Sequence, residues 1–139
     1  MNTKQTIIIQ SNVSTTLDKA WASWTLPEHI TRWNFASDDW QCPTSTVDLR
    51  TGGRFSSRME AKDGSFGFDF WGIYDEIIPL SLLRITLGDG RKMEVRFTQE
   101  KKTVLVTESF ETEDENSAER QREGWQAILN NYKVYTETL

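Results

Sequence analysis

Residues 116–139 read NSAERQREGWQAILNNYKVYTETL, and the fold turns on what this stretch does. Trp125, Ile128, Leu129, Tyr132, Tyr135 and Leu139 each lie three or four residues from another of the set, which lays one apolar stripe along a helix. Asn116 can cap it, and Glu119, three residues on, closes a capping box and favours the positive end of the helix dipole. A helix of roughly 20 residues at 1.5 Å per residue is about 30 Å long, enough to cross a whole sheet. Gly124 lies inside it, where glycine costs about 1 kcal/mol relative to alanine, so its position beside Trp125 reads as room for close approach by a neighbouring element or a ligand.

Upstream of an acidic connector, Glu111 to Asn116, the period of the sequence changes from helical to two. Thr103 to Phe110 reads as the last strand. Met93, Val95 and Phe97 answer Leu83, Ile85 and Leu87 across the turn Gly88-Asp89-Gly90. Phe66, Phe68 and Phe70 alternate along a long strand that reaches Ile77 and is broken by Pro79. Phe55, Ser57, Met59 and Ala61 alternate against Arg54, Ser56, Arg58 and Glu60, a half-buried pattern closed by Asp63-Gly64. A strand beginning at Ser45 runs through Asp48 to Arg50 and ends at Gly52-Gly53.

Before this run, Thr6 to Val13 is rich in β-branched residues and reads as the first strand. Thr15 with Asp18 makes a capping box for a short helix through Leu17, Ala20, Trp21 and Trp24, and Pro27 opens a second one holding Ile30 and Trp33. The order predicts an α+β fold with a seven-stranded antiparallel sheet, two short helices after the first strand and one long C-terminal helix covering a face of the sheet. If the sheet coils around that helix, a space opens between them.

Composition narrows the function. The chain has 139 residues and shows no repeat, linker or low-complexity segment, so residues 1–139 read as one domain. No stretch is long and apolar enough for a membrane span, and the opening MNTKQTIIIQ lacks the pattern of a signal peptide, so the cytoplasm is the expected compartment. A net charge of −5 with scattered basic residues argues against nucleic acid. Cys42 is the only cysteine and His29 the only histidine, which leaves too few ligands for a zinc cluster and no redox pair; no metal or organic cofactor is expected. The excess is aromatic, with six Trp, seven Phe and three Tyr that fill a core or line a cavity.

Several motifs occur together in a definite order: Trp24-Thr25-Leu26-Pro27-Glu28-His29-Ile30 with Trp33, then Asp48-Leu49-Arg50-Thr51-Gly52-Gly53-Arg54-Phe55. Asp63-Gly64, Gly72-Ile73-Tyr74-Asp75-Glu76-Ile77 with Pro79 and Leu83, and Gly124-Trp125 with Leu129 follow. In this combination the chain resembles the START-like (SRPBCC, polyketide cyclase-like) superfamily, in the branch named after the activator of the heat-shock-protein-90 ATPase. The resemblance implies the helix-grip fold, in which the sheet is curved, and a cavity for a hydrophobic or amphipathic small molecule. It implies no single reaction, because members include ligand carriers, cyclase-like enzymes and domains of unknown role. Leu26 stands where members often carry Asp, Thr16 where they often carry Pro, and Asn34 where many carry a second Trp. These departures bear on helix capping and on the rim of the pocket.

On this basis Trp33 and Phe35 are expected at the mouth, with Phe55, Met59, Phe68, Phe70, Val95, Phe97, Trp125, Ile128, Leu129 and Tyr132 as walls; the alternative is that these side chains simply fill a core. Glu108 shares a strand face with Val104, Val106 and Phe110, whereas Glu94 is out of phase with Met93 and Val95. If one carboxylate enters the pocket, Glu108 is therefore the one expected to, and there desolvation would raise its pKa and make it a usable acid or base. A bulge would reverse that assignment, and Gly72 is the natural place for one. His29 is the other acid–base candidate, against a structural role in its short helix. Cys42 reads as a free thiol, and Arg50 and Arg54 as surface partners of Asp48 or Glu60 unless they greet an anionic head group. The gly-gly pair has no Lys-Ser/Thr after it and reads as a tight bend, not a phosphate loop. The functional expectation is a small-molecule binding domain. A cyclase- or hydrolase-like enzyme using the same pocket is the alternative, and chaperone ATPase stimulation is a third possibility carried by the family name. Dimerisation is left open.

Overall fold

Alternating apolar and polar residues build the sheet, and a computed structural model describing residues 4–139 shows how it closes. The elements run β1 (Thr6–Val13), α1 (Leu17–Thr25), α2 (Pro27–Ile30), β2 (Trp40–Gln41), β3 (Ser45–Val47), β4 (Arg54–Ala61), β5 (Gly67–Ile78), β6 (Leu82–Leu87), β7 (Lys92–Gln99), β8 (Val104–Glu111) and α3 (Ala118–Thr136). The strands form one antiparallel sheet in the order β1-β8-β7-β6-β5-β4-β2, with β3 pairing beside β2 on β4. This is the helix-grip arrangement, curved sheet against a C-terminal helix.

The sheet has eight strands, one more than the sequence suggests. The extra one is Trp40–Gln41, which pairs with Ala61 and Glu60. Cys42, Pro43 and Thr44 separate it from β3, and proline cannot donate to a ladder, so the edge is split into two short pieces. The strand expected to run through Asp48 to Arg50 stops at Val47, because Arg50 N–H donates to Asp48 O and Gly53 N–H to Arg50 O in successive tight turns.

The register is continuous through most of β5. A Cβ at Gly72 would come within 2.9 Å of Ile85 Cγ2 and 3.0 Å of Phe55 Cε1, so glycine here permits close packing and not a slip. The bulge lies further on, between Tyr74 and Glu76. Phe68, Phe70, Gly72 and Tyr74 consequently share the inner face, while Trp71 points outward with the Arg54 guanidinium 4.2 Å from its ring centroid.

Both capping positions differ by one residue from the sequence reading. Thr16 caps α1, its side chain accepting from Lys19 N–H, and Ser117 caps α3, accepting from Arg120 N–H. Asn116 is held instead in the preceding loop, where its backbone and side-chain N–H groups both donate to Glu113 Oε1. The apolar stripe of α3 ends at Tyr135, since Leu139 lies past the last turn and is exposed.

Helix α3 packs chiefly on β1, at one side of the sheet. Arg122 donates to Ile8 O at 3.1 Å and Lys133 Nζ to Asn12 O at 2.5 Å, which ties the helix along that strand. Its far end is locked to α1, where Tyr132 Oη donates to Ala20 O at 2.7 Å and the Ser23 and Thr136 hydroxyls meet at 2.8 Å, all in buried surroundings. The helix therefore leans over β1 and β8, and the opposite half of the curved sheet faces it across a gap.

Candidate functional site

Strand β8 carries Glu108 into that gap. Its cross-strand partners are Ile9 on β1 and Val95 on β7, both buried, so the carboxyl is flanked by hydrocarbon. Glu108 is 5% exposed and, among the described residues, its carboxyl has no hydrogen-bond partner. Among the described residues no buried side-chain oxygen or nitrogen is both sealed from space and unpartnered, so the carboxyl must open on the gap. Desolvation by burial pushes its pKa up to about 8. At neutral pH it is mostly a neutral acid that can donate a hydrogen bond.

The gap is a cavity of about 280 Å³, partly open to solvent. That is near the lower end of the roughly 300–1,000 Å³ usual for small-molecule pockets. Its sheet wall consists of Phe55, Ser57 and Met59 from β4, Phe68, Phe70 and Tyr74 from β5, Ile85 from β6, Met93 from β7 and Glu108 from β8. Trp125 and Ile128 of α3 form the opposite wall, and Trp24, Ile30, Trp33 and Asn34 close one end. The Trp125 indole is set by a stacked contact with Phe110, at 3.9 Å between centroids, and by the edge of Phe70 at 5.9 Å. The Tyr74 hydroxyl, like the Glu108 carboxyl, has no hydrogen-bond partner among the described residues, and burial raises its pKa.

The remaining rim is polar. Arg91 Nε is bonded to Asp89 Oδ2 at 2.7 Å, and Gln121 holds the loop before α3 by donating to Glu113 O and Asn116 O while accepting from Glu113 N–H. Burial opposes ionisation of Glu113, but hydrogen bonds from Glu115 and Asn116, with Arg91 nearby, hold its pKa below the ordinary value. Among the described residues no cluster of three or more His, Cys, Asp or Glu side chains is placed to hold a metal ion.

Seven of the residues named from sequence as mouth or walls line this cavity: Trp33, Phe55, Met59, Phe68, Phe70, Trp125 and Ile128. Five do not. Val95, Phe97, Leu129 and Tyr132 are buried in the adjoining core, where Trp21 and Trp24 of α1 meet Phe97 edge-on and Trp24 and Trp33 meet Tyr132. They face the right side of their elements but lie where α1 covers the sheet. Phe35 lies outside the lining, and its carbonyl accepts from the Asn131 side chain at 2.6 Å. His29 is also outside, with Nδ1 2.6 Å from the Tyr135 hydroxyl. Arg50 pairs with Asp48 at 2.8 Å, and a Cβ at Gly124 would meet open space, so that glycine serves no close approach.

Sequence reasoning missed Tyr74, Ile85 and Met93 as lining residues, although alternation with Phe70, Leu83 and Val95 carries the signal for each. Asn34, Arg91, Glu113 and Gln121 gave no such signal, because they reach the cavity from loops or from a helix end.

Comparison with known proteins follows the same lines. The solution NMR structure of an AHSA1-like protein from Aeromonas hydrophila is 40% identical, with a TM-score of 0.91 over 96% of this chain and 93% of that one. The solution structure of a protein from Cytophaga hutchinsonii is 44% identical, with a TM-score of 0.82 over 95% of this chain and 92% of its own. A crystal structure from Nitrosomonas europaea, 16% identical with a TM-score of 0.81 over 96% and 94%, shares the fold. No curated protein matches the chain. Residues 14–137 match the family model described as Activator of Hsp90 ATPase homolog 1-like protein, and the chain belongs to that family, within the START-like superfamily.

Proposed function

We propose that the protein binds a small hydrophobic or amphipathic molecule in the cavity between the sheet and α3. The observation that carries this reading is an unpartnered, desolvated carboxyl facing a space walled by aromatic and aliphatic side chains. A buried polar group without a partner costs about 1–3 kcal/mol, and a ligand that supplies one recovers part of that cost. Membership of the family supports a ligand-binding or cyclase-like domain at the coarse level. Native mass spectrometry of the protein as purified from cells, followed by a thermal-shift screen of apolar and amphipathic compounds, tests it. A retained small molecule or a saturable rise in melting temperature is expected. Protein that is empty and unshifted by every compound would sink the proposal.

A second reading is favoured by Glu108 alone. Its raised pKa suits acid–base catalysis near neutral pH on a molecule folded in the same cavity, as in a cyclase or hydrolase. His29 takes no part in it, being turned to Tyr135. Turnover of a bound compound that Glu108→Gln abolishes without weakening binding would favour this reading.

A further inference from the structure

The chemistry of the lining narrows the ligand, on an argument that rests on the binding function proposed above. The titratable groups that reach the cavity are Glu108, Glu113, Tyr74 and Arg91. Arg91, the only base among them, is engaged by Asp89 at 2.7 Å and by Glu111 O at 3.4 Å. An anionic ligand would meet the ionised Glu113 carboxylate and, among the described residues, no cation but the engaged Arg91, on a chain whose net charge is −5; only the neutral Glu108 acid and the Tyr74 hydroxyl could donate to it. A neutral ligand would find the unpartnered Glu108 carboxyl and Tyr74 hydroxyl as hydrogen-bond partners, and no charge to complement. A protonated amine would find more: the Glu108 carboxylate as a charge-assisted acceptor, the negative charge of Glu113, and the aromatic side chains of Trp24, Trp33, Phe55, Phe70 and Trp125 in the lining, whose ring quadrupoles can attract a cation.

We infer that the cavity selects an amphipathic amine, its apolar body against the aromatic walls and its ammonium group on Glu108. An alkyl ammonium, with a pKa of about 10 as for lysine, enters charged at neutral pH. The Glu108 carboxyl, protonated in the empty cavity, then gives up its proton to solvent, so one proton leaves for each cation bound.

Isothermal calorimetry with 1-naphthylethylamine, 1-naphthylethanol and 1-naphthylacetate, on the full chain and on Glu108→Gln, tests this. The amine should bind at least tenfold tighter than the alcohol, with the acid weakest, and the substitution should remove the preference. In the unsubstituted protein the heat of amine binding should also differ between buffers of different ionisation enthalpy, because a proton is released. A preference below tenfold, a preference that Glu108→Gln leaves intact, or a heat independent of buffer overturns the inference while leaving a cavity that binds. No saturable binding of any of the three overturns the inference, whereas the proposed function falls only if the purified protein is also empty and unshifted across the wider compound screen.

Discussion

The ring of Phe110 lies flat on the indole of Trp125, with centroids 3.9 Å apart and planes 8° from parallel. Phe110 is two residues from Glu108 on the same face of β8 and opposite Met93 on β7. The stack thus sets the position of α3 relative to the strand that carries the acid. Replacing Phe110 by Ala removes a fully buried ring, and an unfolding free energy about 3–5 kcal/mol lower is expected from urea titration. Phe110→Leu, which keeps most of the volume, should cost less.

Glu108 makes stability depend on pH in an unusual direction. Its folded pKa of about 8 lies above the ordinary 4.5, so folding takes up a proton between those values. Stability is therefore highest from this group at and below about pH 4.5 and falls as pH rises through 8, by at most about 1.4 kcal/mol per pH unit. The carboxyls of Asp63, Asp89, Glu94 and Glu113 are lowered and act in the opposite sense, only in the acid range. Chemical denaturation between pH 5 and 9 should show the decline, and Glu108→Gln should flatten it. An equally steep decline in the variant would assign it to another group.

Gly124 occupies an interior turn of α3 where an added methyl meets nothing within 4 Å. Gly124→Ala should stabilise the protein by about 1 kcal/mol, because it lowers the entropy lost when the helix forms. Thermal melting provides the measurement; a lower melting temperature would mean that the methyl intrudes on Trp125 or on the loop before α3.

Cys42 is 3% exposed, its thiol donates to Thr44 O at 3.5 Å, and burial pushes its pKa up to about 11, with the nearby Ser57 hydroxyl opposing the shift. The thiolate is the reactive form, so labelling by an aromatic disulfide at pH 8 should be at least about a hundredfold slower than in urea. Rapid labelling of the native protein would mean that the β2–β3 edge opens readily.

Sequence periodicity by itself determined the order of elements, the antiparallel pairing and the side of the sheet on which each strand residue lies. That reaches as far as placing Glu108 inward, because side chains alternate with a period of two and its neighbours Val106 and Phe110 are apolar. The two-residue strand at Trp40 escaped because so short a segment, cut off by Pro43, has no period to read.

Only the tertiary structure decided which inward residues border space and which border other side chains. Val95 and Met93 lie on one face of one strand, yet Met93 lines the cavity while Val95 lies in the filled core. The difference is set by where α1 and α3 rest on the sheet, through contacts such as Tyr132 to Ala20, separated by 112 residues. Local alternation carries no information on such distant packing. The same holds for His29, whose partner Tyr135 lies 106 residues away and turns it from the cavity.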